Sequence, residues 1–484
     1  MSRSFTTFFQ WLMVLIAISV PRALPAQDAS SKIDALMARY LELDQFNGSV
    51  LVAKQGELVI KKGYGMANFD WSVPNAPDTR FRIGSMTKQF TAALVVQLAD
   101  ERKLSLDARL SDVLPWYRKD TGSKITIRQL LTHTSGLSQV SVKRLIQEHR
   151  CDPIPLKEEV MAYCVDDLVS EPGTAFAYNN AAYLILGAVV EEITGLPFQR
   201  ALSERILDPA GMKNTSLCRT DTILARRAQG YERDEMGLRP TPYTECSIAA
   251  SAGGMVSTVE DMLLWDQALY GSGILSEKAK KEAFDPALGP YGFGWFIQYQ
   301  PVGPDGAQRK VIHHPGNGEG FYSLIVRVPE ERVLVVLMNN VGKVDLYAVS
   351  SGILDILYGR VPPWPLPPIA DALMKAYAEG GIDAAVARYR HLKSSEPSSY
   401  DFGENQLNAL GYGLLRSGKP GDAVALFRLN AEAHPRSSNV WDSLGEGLAA
   451  MGSKDEAVRS YEKSLELNPK NDNARAAIQK LMAR

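Results

Sequence analysis

The sequence predicts an α+β domain followed by an all-α array of paired helices. Strand patterns lie near both ends of the first 360 residues, and helical periodicity lies between them. After a proline-rich stretch, the last third of the chain repeats itself with a period of 34 residues. We therefore expect one antiparallel sheet between helices, an α/β/α arrangement with an inserted helical lobe, and a separate helical domain.

The N-terminus has the features of an export signal. Arg3 precedes an apolar stretch from Phe8 to Val20, and Ala26 offers a small residue at a cleavage point. A membrane span needs roughly 20 apolar residues, and this stretch is shorter. We expect residues 1–26 to be a cleaved signal peptide, with an uncleaved anchor as the alternative. The mature protein would then lie in the periplasm with no stable membrane span.

Composition excludes several classes of function. At 484 residues the chain can hold two or three domains, and 45% hydrophobic with 22% charged residues is typical of globular proteins. The net charge of −2, with no basic stripe, argues against a nucleic-acid partner. The six histidines are scattered without metal-ligand spacing. We expect no metal and no cofactor.

The sheet is predicted to begin with a hairpin. Two segments, Gly48 to Lys54 and Glu57 to Tyr64, show the alternating residue pattern of β-strands, and the turn pair Gln55-Gly56 separates them. Residues 90–270, roughly, show helical periodicity and supply the lobe.

The same sheet is expected to be completed by the last strands of the domain. Strand patterns return at Gly294 to Tyr299, Phe321 to Val328 and Arg332 to Met338. Val344 to Tyr358 would be a closing helix on that sheet. The first domain is therefore placed at residues 27–360.

A proline-rich spacer and a helical repeat follow. Residues 361–368 hold five prolines, which can continue neither a helix nor a strand ladder. Residues 404–437 and 438–471 match at an offset of 34 in their small and apolar positions, and this period resembles tetratricopeptide repeats. We assign residues 369–484 to a repeat domain, whose concave groove would bind a peptide or protein partner.

Ser85-Met86-Thr87-Lys88 is the leading candidate for chemistry. In a helix, residues three apart share a face, so the Lys88 amine would lie beside the Ser85 hydroxyl. A serine becomes a nucleophile when a neighbouring base removes its proton, and a helix N-terminus favours a developing oxyanion. The pattern alone is weak, since Ser460 and Lys463 in the repeats share the spacing and an ordinary N-cap explains such a serine.

Further motifs strengthen that interpretation, because the chain resembles the serine β-lactamase and penicillin-binding superfamily over roughly residues 40–350. The resemblance is to its class C-like branch, which also holds esterases, D-alanyl carboxypeptidases and D-aminopeptidases. The matching segments, in order, are Ser85-x-x-Lys88, Leu130 to Leu137, Tyr178-Asn179-Asn180, Ala252 to Thr258, Tyr291 to Trp295 and His314-Pro315-Gly316.

The resemblance implies catalytic roles for Ser85, Lys88 and Tyr178. Tyr178 can act as a base only if nearby cations lower its pKa, whereas burial could lower the pKa of Lys88 and make it the base. The sequence leaves both alternatives open. Asn180 would accept from Lys88 and donate to a substrate carbonyl.

The remaining site residues are also implied by the resemblance. His314 would bind substrate where β-lactamases carry lysine, and a neutral imidazole holds a carboxylate weakly. Gly316 would let the substrate approach the strand, and the backbone N–H groups of Ser85 and Asn317 would form the oxyanion hole. His133 is interpreted as a structural residue rather than a triad histidine.

Export would place the four cysteines in an oxidising compartment. Cys151 and Cys164 bracket a loop of twelve residues and are expected to pair, with Cys218–Cys246 as the complementary pair, although four cysteines permit three connectivities. Four buried free thiols are the alternative.

We expect an exported serine hydrolase that forms an acyl-enzyme on Ser85 and acts on ester, D-peptide, amide or β-lactam-like substrates. An esterase, D-aminopeptidase or carboxypeptidase is favoured over an efficient β-lactamase, because His314 replaces the lysine. Two alternatives are a weakly catalytic or non-catalytic peptidoglycan- or peptide-binding module, and an envelope scaffold driven by the repeats. The partners would be a small-molecule or peptide substrate and a protein bound by the repeats.

Overall fold

The computed structural model describes residues 26–139, 144–145, 148–149, 152–234, 237–245, 248–303, 306–342 and 344–483. The predicted signal peptide, apart from Ala26, lies outside the described residues, as do Cys151 and Cys246.

The described residues form the helices and strands below, some of which, such as the helix Ala26–Glu42 and the short strands between residues 66 and 257, the sequence analysis does not predict. The helices are α1 Ala26–Glu42, α2 Thr87–Asp100, α3 Leu110–Val113, α4 Lys119–Gly122, α5 Ile127–Leu131, α6 Leu156–Tyr163, α7 Asn180–Thr194, α8 Phe198–Leu202, α9 Ala250–Gly253, α10 Val259–Ala268, α11 Glu277–Ala283, α12 Leu346–Leu357, α13 Ile369–Ser395, α14 Glu404–Arg416, α15 Pro420–Ala433, α16 Ser438–Ala450, α17 Lys454–Leu467 and α18 Asp472–Met482. The strands are β1 Gly48–Lys54, β2 Glu57–Tyr64, β3 Met66–Asn68, β4 Val73–Pro74, β5 Phe81–Arg82, β6 Ser216–Leu217, β7 Tyr231–Asp234, β8 Gly237–Pro240, β9 Met255–Ser257, β10 Phe296–Pro301, β11 Gln308–Gly318, β12 Phe321–Val328 and β13 Val333–Asn339. Short 3₁₀ turns cover Gly84–Met86 and Pro329–Glu331, and a π-turn covers Ser203–Leu207.

The main sheet has six antiparallel strands in the order β10-β11-β12-β13-β1-β2. The expected hairpin is confirmed: β1 and β2 join through Gln55 and Gly56, both in the left-handed region. The last strand, β13, pairs with β1, so the end of the domain closes onto its beginning as predicted.

Helices cover both faces of this sheet. Along β1, Val50 and Val52 face the core under α1 and α12, whereas Leu51 and Ala53 face the larger core under the helical lobe. Such alternation is the period of two expected of a strand buried on both sides. The α+β arrangement with an inserted lobe is therefore confirmed.

The C-terminal region consists of paired helices with a regular period. α14 and α16 begin 34 residues apart, as do α15 and α17, which agrees with the sequence repeat. A Cβ on Gly411 would lie 2.4 Å from the Phe427 ring, and one on Gly445 would lie 2.9 Å from the Tyr461 ring. Small residues therefore allow each pair of helices to approach closely. The domain limits at 360 and 369 stay a prediction.

The linker contacts the first domain. Arg39 donates to the carbonyl of Pro365 at 3.3 Å, and Gln45 donates to the carbonyl of Leu366 at 2.9 Å. These bonds hold the linker against the end of α1 and bring the helical array next to the first domain.

In the described part of the chain, no single helix has the length and apolarity needed to cross a membrane. Asn180–Thr194 and Phe198–Leu207, bent by 81° with respect to each other, meet those criteria only as a pair.

The predicted Cys151–Cys164 disulfide is wrong. Cys164 is a free thiol, 3% exposed, that packs in the core between the sheet and the lobe. Burial raises its pKa, so it behaves as a small apolar side chain. The pairing of Cys218 with Cys246 stays a prediction, because Cys246 lies outside the described residues.

Candidate active site

A tight turn before α2 presents Ser85. Gly84 has a φ of +50°, and a Cβ there would lie 2.6 Å from the backbone nitrogen of Asn317, so only glycine fits. Ile83 is fixed on both sides: its N–H donates to Met255, and its carbonyl accepts from the Ser323 hydroxyl at 2.9 Å. The turn thus brings half-buried Ser85 to the start of a helix and next to β11.

Lys88 lies one turn into the helix and is wholly buried. Its Nζ is 3.1 Å from Ser85 Oγ, 2.8 Å from Asn180 Oδ1 and 2.7 Å from the carbonyl oxygen of Ala252. Burial lowers the pKa of Lys88 to about 7. In the neutral amine, the two hydrogens satisfy Asn180 and Ala252, and the lone pair is left for the Ser85 hydroxyl.

Tyr178 is a second neighbour of Ser85. Its hydroxyl is buried and has no hydrogen-bond partner of ordinary geometry among the described residues. Burial raises the pKa of Tyr178, and the neighbouring Ser85 hydroxyl opposes that rise only in part. The Lys88 Nζ lies 5.0 Å from the centre of the Tyr178 ring. Tyr178 is therefore held as a neutral phenol, a hydrogen-bond donor rather than a ready base.

His133 positions Tyr178 from behind. Its carbonyl accepts from Ala177 at 2.8 Å and its Nδ1 accepts from the N–H of Asn179 at 3.0 Å, so it binds the chain on both sides of Tyr178. The His133 and Tyr178 ring centres are 4.3 Å apart. The ring is 1% exposed, and burial holds its pKa well below the usual range. It makes no triad with Ser85.

His314 is placed differently from the expectation of a substrate contact. It is fully buried, its Nε2 lies 2.8 Å from the Tyr291 hydroxyl, and its Nδ1 lies 2.7 Å from the carbonyl of Pro315. Burial lowers its pKa to about 3, so the ring is neutral. Nδ1–H then donates to Pro315 and Nε2 accepts from Tyr291, which leaves His314 no polar atom for a ligand.

Gly316 and Asn317 join β11 to the turn that carries Ser85. A Cβ on Gly316 would lie 1.9 Å from the carbonyl oxygen of Ile83, so its missing side chain makes room for that backbone rather than for substrate. Asn317 lies beside Gly84, as noted above. The turn that carries Ser85 therefore lies against the backbone of Asn317, and an oxyanion hole formed by the N–H groups of Ser85 and Asn317 stays a prediction.

Other parts of the site were missed from sequence. The Ala252 carbonyl that binds Lys88 belongs to α9, and Ala249, which precedes α9, donates to the buried carboxyl of Glu159 at 2.8 Å. Burial raises the pKa of Glu159 to about 7. A backbone carbonyl cannot be recognised from sequence because every residue has one, and Glu159 of α6 belongs to none of the sequence motifs. No group of three or more His, Cys, Asp or Glu residues is placed to hold a metal within the described ranges.

Comparison with known proteins agrees with this geometry. The family model described as Beta-lactamase matches residues 33–351. This chain belongs to the Beta-lactamase family. All of the site residues described above lie inside the region that matches the family.

Penicillin-binding proteins and hydrolases are among the relatives of this Beta-lactamase family member. Penicillin-binding protein 4* of Bacillus subtilis is 26% identical over 387 residues, which cover 75% of this chain and 82% of that protein. The crystal structure of a penicillin-binding protein from Bacillus halodurans is 29% identical, with a TM-score of 0.58 over 66% of this chain and 98% of that one. The D-amino acid amidase of Ochrobactrum anthropi SV3, solved with L-phenylalanine amide, is 25% identical, with a TM-score of 0.58 over 68% and 97%.

Proposed function

We propose that this chain is an exported serine hydrolase that forms an acyl-enzyme on Ser85. The observation that carries the proposal is the wholly buried Lys88, whose Nζ lies 3.1 Å from Ser85 Oγ and has two further acceptors. Neutral Lys88 takes the Ser85 proton while Oγ bonds to the substrate carbonyl carbon. The N–H groups of Ser85 and Asn317 stabilise the oxyanion.

Collapse of the tetrahedral intermediate breaks the bond to the leaving group. The Tyr178 hydroxyl, a neutral donor, passes a proton to the leaving oxygen or nitrogen and regains one from the Lys88 ammonium. Water then bonds to the acyl carbon while Lys88 takes its proton. As the bond from that carbon to Ser85 Oγ breaks, the Lys88 ammonium returns the proton to Oγ and the acid leaves. This division of roles favours Lys88 as the base, one of the two alternatives left open by the sequence.

Uncharged esters and D-configured amides are the proposed substrates, in the manner of the class C-like branch. Neutral, buried His314 offers no cation to a substrate carboxylate. Aromatic rings surround Tyr178 instead: Phe296 stacks on it at 6.0 Å, and the Tyr291 ring lies 5.9 Å away. Half-buried Phe296 favours acyl groups that carry apolar side chains over acyl groups that carry a carboxylate.

Steady-state kinetics on three substrate classes test this proposal. We expect kcat/KM for a short-chain p-nitrophenyl ester or a D-amino acid amide to exceed that for nitrocefin by at least about tenfold, the gain typical of a fitted apolar contact. Ser85→Ala supplies the background rate. A tenfold preference for nitrocefin would refute the interpretation of His314.

The proposal extends to location and partners. The signal-like N-terminus supports export to the periplasm, and the 34-residue helix period supports the assignment of the C-terminal array as tetratricopeptide repeats that bind a protein.

A further inference from the structure

A cavity of about 850 Å³ lies between the Beta-lactamase-family domain and the helical array. One wall comes from the β7–β8 hairpin and the start of β12, and the other comes from α13 and α14. None of Ser85, Lys88 and Tyr178 lines it. Ligand sites have volumes of this order and occur preferentially at domain interfaces.

One part of the wall carries an excess of negative charge. Arg233 forms an ion pair with Asp44 at 2.9 Å. Asp371 of α13, Glu232 and Arg239 line the same cavity, and the Arg239 guanidinium lies 4.0 Å from the Glu232 carboxylate. Three carboxylates and two guanidiniums therefore line this part of the cavity, which leaves one negative charge for an incoming ammonium group.

The array supplies the complementary groups. Arg416, at the end of α14, is exposed at the cavity and forms no ion pair within the part of the chain that is described. Met374, Leu410 and Leu414 line the same cavity and provide apolar surface. A guanidinium without a partner suits a carboxylate, which it can bind through two N–H groups.

We propose that this cavity binds a short peptide that has free amino and carboxyl ends and apolar side chains. The ammonium group would bind at Asp371 and Asp44, the carboxylate at Arg416, and the side chains on the apolar surface. The volume exceeds what a single amino acid fills, which favours a peptide of several residues. This binding does not depend on acylation of Ser85.

Calorimetric titration of the mature full-length chain tests the proposal. The protein carries Ser85→Ala to prevent turnover, and the probes are the tripeptide Leu-Ala-Leu, its N-acetyl form and its C-terminal amide. We expect one-to-one binding of the free tripeptide, weakened about fivefold by acetylation and about fivefold by amidation, the size of an exposed ion pair. Asp371→Asn should abolish the first difference, and Arg416→Gln the second.

Asp383→Asn and Arg459→Gln are the matched controls, because both residues are exposed on the array and neither lines the cavity. They should leave all three affinities unchanged. Absence of binding at millimolar tripeptide would overturn the proposal. Equal affinities for the three probes, or binding indifferent to Asp371→Asn and Arg416→Gln, would place the peptide elsewhere, including the Ser85 cleft, and would overturn it as well.

Discussion

Asn180→Asp places a charge beside the proposed base without changing the shape of the side chain. Asn180 Oδ1 lies 2.8 Å from the Lys88 Nζ, and the pKa of that amine is about 7. A carboxylate at this distance raises the pKa of an amine by about one to three units, so a value near 9 is expected. At pH 7 the neutral fraction of Lys88 would then fall from about one half to about 1%, a loss of about 50-fold in kcat/KM.

The assay is kcat/KM for an aryl ester from pH 5 to pH 10. In the parent protein the rate should rise about tenfold per pH unit and level off above pH 7, because deprotonation of Lys88 is required. In Asn180→Asp the rise should move about two units upward, and Asn180→Ala, which adds no charge, should not move it upward. An unmoved rise in Asn180→Asp would refute Lys88 as the titrating base. A parent rate that still climbs beyond pH 10 would point to Tyr178.

Three other predictions concern the frame of the site. Gly316→Ala should lower the free energy of unfolding by about 3 kcal/mol in urea titrations, because the new Cβ would lie 1.9 Å from the Ile83 carbonyl oxygen. The control Gly318→Ala, whose Cβ would contact nothing, should leave that free energy unchanged. Equal effects of the two substitutions would contradict this. Tyr291→Phe should lower the free energy of unfolding by about 1–3 kcal/mol in the same titration, since buried His314 Nε2 loses its hydrogen-bond donor. An unchanged free energy would show that the hydrogen bond from Tyr291 to His314 contributes nothing to stability. Cys164 should resist alkylation in native protein and react after denaturation without reductant; a Cys164 that needs reductant would restore the disulfide.

The elements that sequence predicted well carry strong local signals. The hairpin around Gln55-Gly56 was predictable because alternation and a turn pair coincide, and the period of the array because two repeats align. β11 was harder, since charged residues, histidines and Pro315 interrupt its pattern, and its two neighbours in the sheet hold it in place. Tertiary context determined that strand.

The residues of the site likewise fall into those that the sequence predicts and those whose role depends on the folded chain. Helical spacing predicts that Lys88 lies beside Ser85, but Tyr178 was found by resemblance to a family, because no local rule links it to Ser85. The Ala252 carbonyl could not be found, since every residue has one. His314 shows the limit of residue type: its burial and its bond to Tyr291, which decide its role, depend on the folded chain.

The central claim is a covalent acyl-enzyme on Ser85. Its most direct test is mass spectrometry of the mature protein quenched during turnover of an aryl ester, followed by peptide mapping. We predict an acyl adduct on the peptide that contains Ser85, lost on further incubation and absent from Ser85→Ala, whose thermal melt should stay close to that of the parent. An adduct on another residue, or undiminished turnover by Ser85→Ala, would contradict the account.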